Sequence, residues 1–301
     1  MLTSNLHATR NEHVLERGTH LASLLSMQLA VLKLITDKIG PLKMAEYLVR
    51  TTISRLAKCQ MEFQLPHMAN PVAIRTGMSD MQVFHDIFIW GEYSFLKPVT
   101  ERTTVLDIGA NVGYSSTYFA GIYPKCEVVA VELMHSNFEQ LSRNTAFLGN
   151  RIRTVEAAVW SHNDGVSIAD DTFRDGDGWS HHASEAEAGK SLVPSITMLN
   201  LMQKHAMPRV NICKIDIEGA EYELFADGNR DWTNHCDVIL LEIHEDLATF
   251  DIVAAMQADG FHSFTAHELT IFYRDAEVAK RFIHAEYLVG DKASSLSHRA
   301  A

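Results

Sequence analysis

The segment at residues 105–113 constrains the fold more than any other part of the chain. Its sequence, VLDIGANVG, begins with an apolar run, continues into a loop with two glycines and leads into a helix-like stretch. Short apolar runs bounded by glycine are typical of buried strands, and glycine permits backbone turns that other residues disfavour. The segment therefore predicts a strand, a tight loop and a helix in immediate succession, which is the opening unit of an α/β fold.

The same alternation continues along the chain. We predict further strands at residues 127–131, 155–160, 212–217 and 237–243, and helices at 114–122, 136–149, 221–225 and 247–258. Ser136 and Glu139 have the spacing of a capping box at the start of one helix, and Gly149 is expected to end it. Strands that alternate with helices predict a parallel sheet covered on both faces.

The end of the chain breaks this pattern. Residues 261–266 and 270–274 are two strand-like runs joined by three residues, and so short a connection forces antiparallel pairing. We therefore predict an α/β fold with a doubly wound, Rossmann-like sheet that is closed by an antiparallel C-terminal hairpin. This is the outline of class I methyltransferases, and a dinucleotide-binding fold would not predict the hairpin.

The glycine loop also indicates a cofactor. It reads D-x-G-x-N-x-G and not the G-x-G-x-x-G that brings a backbone to a pyrophosphate. The carboxylate of Asp107 would repel a diphosphate, but it suits the amino acid head of S-adenosylmethionine, which carries no phosphate. Glu132 ends the next strand, 19 residues after Gly113, and an acidic residue at about this distance reaches ribose hydroxyls. Together the two signals predict S-adenosylmethionine.

Acidic residues crowd the end of a later strand. Residues 214–221 read KIDIEGAE, which places Asp216, Glu218 and Glu221 after an apolar run. Ligands of open α/β sheets bind beyond the carboxyl ends of the strands. The three acids therefore require a cation, a proton or hydrogen-bond donors, and the methionine ammonium and a substrate hydroxyl are candidates. The spacing fixes no metal-ligand set, and we predict no metal.

The next strand ends in LLEIH, residues 240–244, so that Glu242 and His244 share one face. A histidine is suited to take a proton near neutral pH, although a histidine here can also be a hydrogen-bonded structural residue. We predict His244 as the general base, with Asp216 as the second choice and Glu242 as a further catalytic residue.

The chain resembles the FkbM family of methyltransferases. The similarity spans roughly residues 80–275 and rests on FHDIFIWGEY (84–93), VLDIGANVGYSS (105–116), VELMHSNFEQL (131–141), VEAAVW (155–160), KIDIEGAE (214–221) and LEIH (241–244). The resemblance implies dependence on S-adenosylmethionine and, most often, O-methylation of a hydroxyl on a sugar or secondary metabolite in a biosynthetic pathway. Related proteins also methylate nitrogen.

The resemblance also implies roles for particular positions. The amino acid head of the cofactor would be surrounded by Tyr93, Asp107, Gly109, Asn111 and Gly113. Glu132 would hold the ribose, and Glu156 and Ala157 would lie near the adenine. The sulfonium and the acceptor would be faced by Asp216, Glu218, Glu242 and His244.

The chain outside these motifs predicts a division into two parts. Residues 1–65 look helical, with Gly40 and Pro41 ending one helix and a second helix at 44–61. We predict a helical cap and lead-in at 1–80 and a cofactor-binding core at 81–301, with a polar insertion at 161–194 as a lid. The N-terminal helices are expected to cover the active site or to form a homodimer contact.

Charge and cysteine usage exclude several classes of partner. The net charge of −12 argues against a nucleic acid substrate, because phosphate backbones require a basic surface. The apolar stretch at 21–35 is too short to span a bilayer, so no membrane is expected. The four cysteines form no CxxC pair, which favours a reducing, cytoplasmic setting over a zinc site or disulfide framework.

Three alternatives to O-methylation of a small molecule stay open. An N-methyltransferase would use the acids to bind an amine or guanidine. A nicotinamide oxidoreductase is disfavoured by the glycine spacing. A non-catalytic protein would bind the cofactor and transfer no methyl group.

Overall fold

The computed structural model describes residues 33, 36–37, 40–56, 60–64, 70–168, 183–184, 192–244 and 248–288. These residues fall into two compact units that divide after Leu56. The first contains helix α1, Pro41–Leu56. The predicted helix at 44–61 is therefore wrong at both ends: proline at 41 begins the helix, a position that suits its fixed φ and missing N–H. Most of the apolar stretch at 21–35 lies outside the described residues.

The second unit begins with an antiparallel pair of strands, β1 (Gln60–Phe63) and β2 (Val72–Arg75). Helix α2 (Asp80–Phe84) follows and continues as a π-helical turn, His85–Trp90. Gly91, with φ of +76°, ends this segment. The segment leads directly into Glu92 and Tyr93, which enter the candidate site.

A seven-stranded sheet forms the core of the second unit. Its strands are β3 (Thr103–Ile108), β4 (Cys126–Glu132), β5 (Ile152–Glu156), β11 (Val210–Ile215), β12 (Cys236–Glu242), β13 (His262–Ala266) and β14 (Leu269–Tyr273). They lie in the order β13-β14-β12-β11-β3-β4-β5, in which β14 runs antiparallel to its neighbours and the other pairs are parallel. The predicted doubly wound sheet with an antiparallel C-terminal hairpin is confirmed.

Helices lie between the strands and after the last one. They are α3 (Tyr114–Ile122), α4 (His135–Thr145), α5 (Met198–Lys204), α6 (Glu221–Phe225), α7 (Ile252–Ala258), α8 (Ala276–Ala279) and α9 (Ala285–Leu288). The predicted capping box is wrong, because α4 begins at His135 after an extended Met134 and no side chain caps it. Gly149 does not end α4 either; it lies in a 3-10 segment, Ala146–Arg151, that follows the helix.

The strands are apolar on both faces, as expected for a parallel sheet between helices. Val105, Leu106 and Ile108 of β3 are fully buried, as are Ile212, Cys213 and Ile215 of β11. Cys126, Cys213 and Cys236 are free, buried thiols. Among the described residues, no helix is long and apolar enough to cross a membrane.

The insertion at 161–194 is described only in part. Strands β7 (Val166–Ile168), β8 (Ala183–Ser184) and β9 (Leu192–Val193) form a small antiparallel sheet. Two further short strands, β6 (Ala158–Val159) and β10 (Ser195–Ile196), pair in parallel. The predicted strand at 155–160 is therefore two strands, because the chain leaves the main sheet at Glu156.

Candidate active site

The candidate site lies where the main sheet reverses its strand order. The chain enters the sheet at β3, proceeds outward through β4 and β5, and returns to β11 on the other side of β3. Ligands of open α/β sheets bind at this switch point. The register pairs Lys214 of β11 with Asp107 of β3, so that these two side chains meet beneath the loops that follow both strands.

Two glycines shape the loop after β3. Gly109 has φ of +75°, and a Cβ there would lie 1.7 Å from the backbone oxygen of Asp216. Gly113 has φ of +87°, and its Cβ would lie 2.7 Å from Cδ1 of Leu141 on α4. The close approaches that require glycine are thus made to the protein itself. They hold the loop against the end of β11 and against α4.

Asp107 is a fully buried carboxylate below this loop. Its Oδ2 accepts hydrogen bonds from the hydroxyls of Ser115 and Ser116, at 2.7 and 2.5 Å, and its Oδ1 lies 3.9 Å from Nζ of Lys214. Oδ1 has no hydrogen-bond partner among the described residues. An unsatisfied oxygen on a buried carboxylate fits a ligand ammonium. Sequence reasoning missed both serines, although they stand in the first turn of the following helix.

Glu132, at the end of β4, ties two loops together. Its Oε2 accepts from the backbone N–H of Asn111 at 2.9 Å, and its Oε1 accepts from that of Met134 at 2.8 Å. Burial raises the pKa of Glu132, and the two backbone hydrogen bonds oppose that rise. Asn111 itself has φ of +48°. The carboxylate therefore holds the glycine loop in place, and its contact with a ribose remains a prediction.

Lys214 supplies a buried positive charge that sequence reasoning did not assign. Its Nζ donates to the carbonyl of Gly109 at 2.7 Å and to Oδ2 of Asp216 at 3.2 Å. Burial alone would lower the pKa of Lys214, but the charges of Asp216, Asp107 and Glu92 outweigh it and raise the pKa. The signal was a lysine within an apolar strand, since lysine is almost never buried without a partner.

His244 lies among three carboxylates. Its Nδ1 is 3.0 Å from Oε1 of Glu221, and its Nε2 is 3.3 Å from Oε2 of Glu218 and 3.8 Å from Oε1 of Glu242. Burial lowers the pKa of His244, but Glu221, Glu218 and Asp216 together raise it to about 9. The imidazole is therefore protonated at neutral pH in the free protein. It must lose that proton before it can act as a base.

The charges of the site are layered. The side chains of Asp216, Glu218 and Glu242 are 28–30% exposed, whereas those of Lys214 and His244 are only 4% and 13% exposed. A ligand that arrives from solvent therefore meets carboxylates first. Such a rim favours a positively charged ligand.

Two acids of the site hold their protons unusually well. Burial raises the pKa of Glu242 to about 8, with a further contribution from the charge of Asp216. Burial also raises the pKa of Glu92 to about 7, although the nearby charge of Lys214 opposes it. Glu92 lies in the motif FHDIFIWGEY (84–93), and the sequence alone predicts no role for it. Tyr93 beside it is buried, and its ring packs on those of Tyr118 and Phe119.

The end of β5 lies beside Glu132. The N–H of Ala157, a buried residue, donates to the backbone oxygen of Glu132 at 3.2 Å. Glu156 is partly exposed and its Oε1 is 2.8 Å from Nδ1 of His135. Both residues thus stand next to the predicted ribose site, and their proximity to adenine stays a prediction.

The structure brings together Asp107, Gly109, Asp216, Glu218, Glu242 and His244, and places Glu132 with Asn111 on the β4 side of the same loop. Asp216, Glu218 and His244 each offer a ligand atom within 4.8 Å of the others, a spacing that a metal ion could also use. Lys214 and protonated His244 already supply positive charge there. We therefore retain the prediction that no metal is bound.

Comparison with known proteins decides the family. The profile of the Methyltransferase FkbM domain matches residues 107–268, more than half of the chain. The chain belongs to this family. It is therefore an S-adenosylmethionine-dependent methyltransferase, and the cofactor predicted from the glycine loop and Glu132 is confirmed. Together with the observed sheet, membership also confirms the class I methyltransferase fold.

Solved structures similar to this methyltransferase are distant in sequence. A precorrin-6Y C5,15-methyltransferase from Geobacter metallireducens is 12% identical (TM-score 0.43), with 70% of this chain and 100% of that chain covered. An FkbM methyltransferase from Methylobacillus flagellatus is also 12% identical (TM-score 0.38), with coverage of 65% and 53%. An Aeropyrum pernix fibrillarin with bound S-adenosyl-L-methionine is 11% identical (TM-score 0.35), with coverage of 58% and 67%. No curated protein matched the chain.

Proposed function

We propose that this methyltransferase O-methylates a hydroxyl group of a small molecule, such as a sugar or secondary metabolite, in a biosynthetic pathway. The choice of oxygen rests on the family resemblance. The observation that supports a base-assisted transfer is His244, which lies beyond the carboxyl end of β12 with Nε2 toward the partly exposed acids. A neutral hydroxyl is a poor nucleophile, and a base within reach can remove its proton.

The fit of the cofactor rests on two features of the site. The unsatisfied Oδ1 of Asp107 offers an acceptor to an ammonium group, and the acidic rim suits a sulfonium. When bound, S-adenosylmethionine supplies an electrophilic methyl carbon. A cation placed beside the acids would also lower the pKa of His244, because it opposes the field that holds the imidazole proton. His244 would then be a base closer to neutral pH.

In the proposed reaction the residues of this chain move one proton and position the acceptor. Nε2 of His244 takes the proton of the acceptor hydroxyl as the oxygen forms its bond to the methyl carbon. The carbon–sulfur bond breaks at the same time, and S-adenosylhomocysteine leaves as a neutral thioether. Asp216 is the second candidate for the base, although Lys214 already occupies its Oδ2 at 3.2 Å.

A groove beside the π-helical turn has the size of a small-molecule site. It has a volume of about 530 Å³ and is lined in part by Met78, Met81, His85, Asp86 and Trp90. Small-molecule sites typically have volumes of about 300–1,000 Å³. The Trp90 ring is 42% exposed, and the Asp86 carboxylate lies close enough to Glu92 to raise the pKa of that residue.

N-methylation of an amine or guanidine is the second candidate. The carboxylates of Asp216 and Glu218 at the solvent side of the site favour it, since they would bind a cationic acceptor. An ammonium group must still lose a proton before it can attack the methyl carbon. The same base would therefore serve both reactions.

The setting of the enzyme is also proposed from the chain itself. The net charge of −12 supports a small-molecule rather than a nucleic acid substrate. The free, buried Cys126, Cys213 and Cys236 are compatible with a reducing cytoplasm. A homodimer contact through the N-terminal helices is a further proposal, which the molar mass in solution would test.

The experiment incubates the purified full chain with methyl-deuterated S-adenosylmethionine and a panel of hydroxylated and amino-bearing small molecules. Mass spectrometry and NMR of the products then identify the methylated atom. We expect O-methylated products, and loss of at least 100-fold in kcat for His244→Ala with S-adenosylhomocysteine binding retained. The matched control is Glu277→Gln on α8, an exposed residue away from the site.

Two results would contradict the proposal. Products methylated only on nitrogen would favour the second candidate function. Full turnover of His244→Ala with an unchanged pH profile would remove His244 as the base. Dialysis against EDTA before the assay is expected to leave the rate unchanged, which tests the prediction that no metal is required.

A further inference from the structure

Glu221 is a fully buried carboxylate that the proposed reaction has not yet used. It is the first residue of α6, and its side chain is 0% exposed. Oε1 accepts the backbone N–H of Ile217 at 3.0 Å and lies 3.0 Å from Nδ1 of His244. Oε2 has no hydrogen-bond partner among the described residues. A buried carboxylate is costly unless it is paired, so its contact with His244 requires a reason.

The contact favours Nδ1 as the nitrogen of His244 that keeps its proton, because Oε1 of Glu221 lies 3.0 Å from Nδ1 while Oε2 of Glu218 lies 3.3 Å from Nε2. An ionised carboxylate only accepts hydrogen bonds, so Nδ1 must be the donor. When the ring is neutral, Nε2 then carries the lone pair. Nε2 is the atom that faces Glu218 and Glu242, on the partly exposed side of the site. The hydrogen bond to Glu221 therefore turns the basic nitrogen toward the acceptor.

We propose that Glu221 is the positioning residue for His244: it holds the imidazole in the Nδ1–H tautomer, so that Nε2 takes the acceptor proton. The proton passes from the acceptor hydroxyl to Nε2, and the side chain of Glu221 accepts the hydrogen bond from Nδ1 and stabilises the imidazolium that forms. The methyl group moves to the acceptor oxygen, and the sulfur leaves with the electrons of its bond to carbon. The role of Glu221 in proton transfer rests on the proposed function, whereas the Nδ1–H tautomer of His244 does not.

The other carboxylates near His244 cannot have this role. Glu218 and Glu242 face Nε2, where the acceptor would bind, and both are partly exposed. Asp216 contributes charge to His244 but is hydrogen-bonded to Lys214. Glu221 alone among these four acids contacts Nδ1 and is shielded from solvent. A carboxylate that orients a catalytic histidine in this way is worth several powers of ten in rate in other enzymes.

The first test is histidine NMR on the full chain labelled with ¹⁵N-histidine, free and with S-adenosylhomocysteine. The chain has 16 histidines, so the signal of His244 is identified by its loss in His244→Asn. We expect the Nδ1–H tautomer at high pH in the wild type. In Glu221→Gln, which keeps an oxygen acceptor and removes the charge, the pKa of His244 should fall by at least one pH unit.

Glu218→Gln is the matched comparison, because it removes a charge from the opposite ring nitrogen. It should lower the pKa of His244 as well, but leave the Nδ1–H tautomer unchanged. A wild type in which neutral His244 is the Nε2–H tautomer would overturn the proposal without any variant. An unchanged pKa and tautomer in a folded Glu221→Gln protein would also overturn it.

Kinetics form the second test. Glu221→Gln should lower kcat by about 100-fold or more while KM for S-adenosylmethionine changes by less than about threefold. The acid limb of the pH–rate profile should move to lower pH by the same amount as the NMR pKa. If Glu221 had only a structural role, the substitution would instead change KM and thermal stability, and the acid limb of the pH–rate profile would not move. If His244→Ala keeps full turnover while the tautomer result holds, the proposed function fails and the positioning contact stands.

Discussion

One added methyl group at Gly109 should damage this methyltransferase severely. Alanine there must adopt φ of +75°, which costs about 1–2 kcal/mol. Its Cβ would also lie 1.7 Å from the backbone oxygen of Asp216, so the loop and the end of β11 must move apart. Forced overpacking costs about 1–3 kcal/mol further. We expect Gly109→Ala to lower the free energy of unfolding by about 2–5 kcal/mol and to weaken S-adenosylhomocysteine binding.

Two other glycines separate these contributions. Gly260 has φ of +86° with nothing within 4 Å of a Cβ, so Gly260→Ala should cost only the backbone part, about 1–2 kcal/mol. Gly121, in α3, has neither a positive φ nor a close neighbour, and Gly121→Ala should be neutral or stabilise by up to about 1 kcal/mol. Urea unfolding and calorimetric titration with S-adenosylhomocysteine measure both quantities. A Gly109→Ala protein no less stable than Gly260→Ala, with unchanged binding, would refute the close approach of the two loops.

Two more predictions concern the charged residues of the site. Glu132→Gln removes the charged acceptor of the backbone N–H groups of Asn111 and Met134. The change should lower the free energy of unfolding by about 1–3 kcal/mol and weaken S-adenosylhomocysteine binding at least tenfold. Unchanged affinity by calorimetry would contradict the predicted ribose contact. Folding raises the pKa of His244 from 6.5 to about 9, which adds about 3 kcal/mol to the free energy of unfolding. This stabilisation is fully present below pH 6.5 and is lost as the pH rises through 9. The raised pKa of Glu242 acts in the same direction between pH 4.5 and 8. Urea unfolding of the wild type and His244→Asn at pH 6 and pH 9.5 should show a difference that shrinks with pH, and a constant difference would refute this linkage.

The order of strands and helices could be predicted because it is written locally in apolar runs and glycines. Their exact ends could not. The apolar run at 155–160 continues after Glu156, but the chain leaves the main sheet there and Ala158–Val159 pair with β10. Pairing partners far along the chain decide such boundaries. The predicted capping box is also misplaced, because α4 begins one residue before Ser136.

The acids of the site could be predicted from the sequence, but their partners could not. Asp216, Glu242 and His244 follow apolar strands, and this placement alone marked them. Lys214 meets Asp107 only because the register of two strands aligns residues 107 positions apart in sequence. Glu221 ends the motif KIDIEGAE (214–221), yet nothing in its spacing reveals that it contacts His244. Tertiary contacts assign the roles that residue types leave open.

The last strand of the main sheet in sequence is not an edge strand. β14 lies between β12 and β13 and pairs with both. A fragment trimmed to the matched residues 107–268 would lose β14 and most of β3, both interior strands, and should not fold. During synthesis the ribosome must also release residues 269–273 before β12 can gain its second neighbour. Until the carboxyl-terminal part of the chain emerges, the parallel half of the sheet therefore has an unpaired edge at β12.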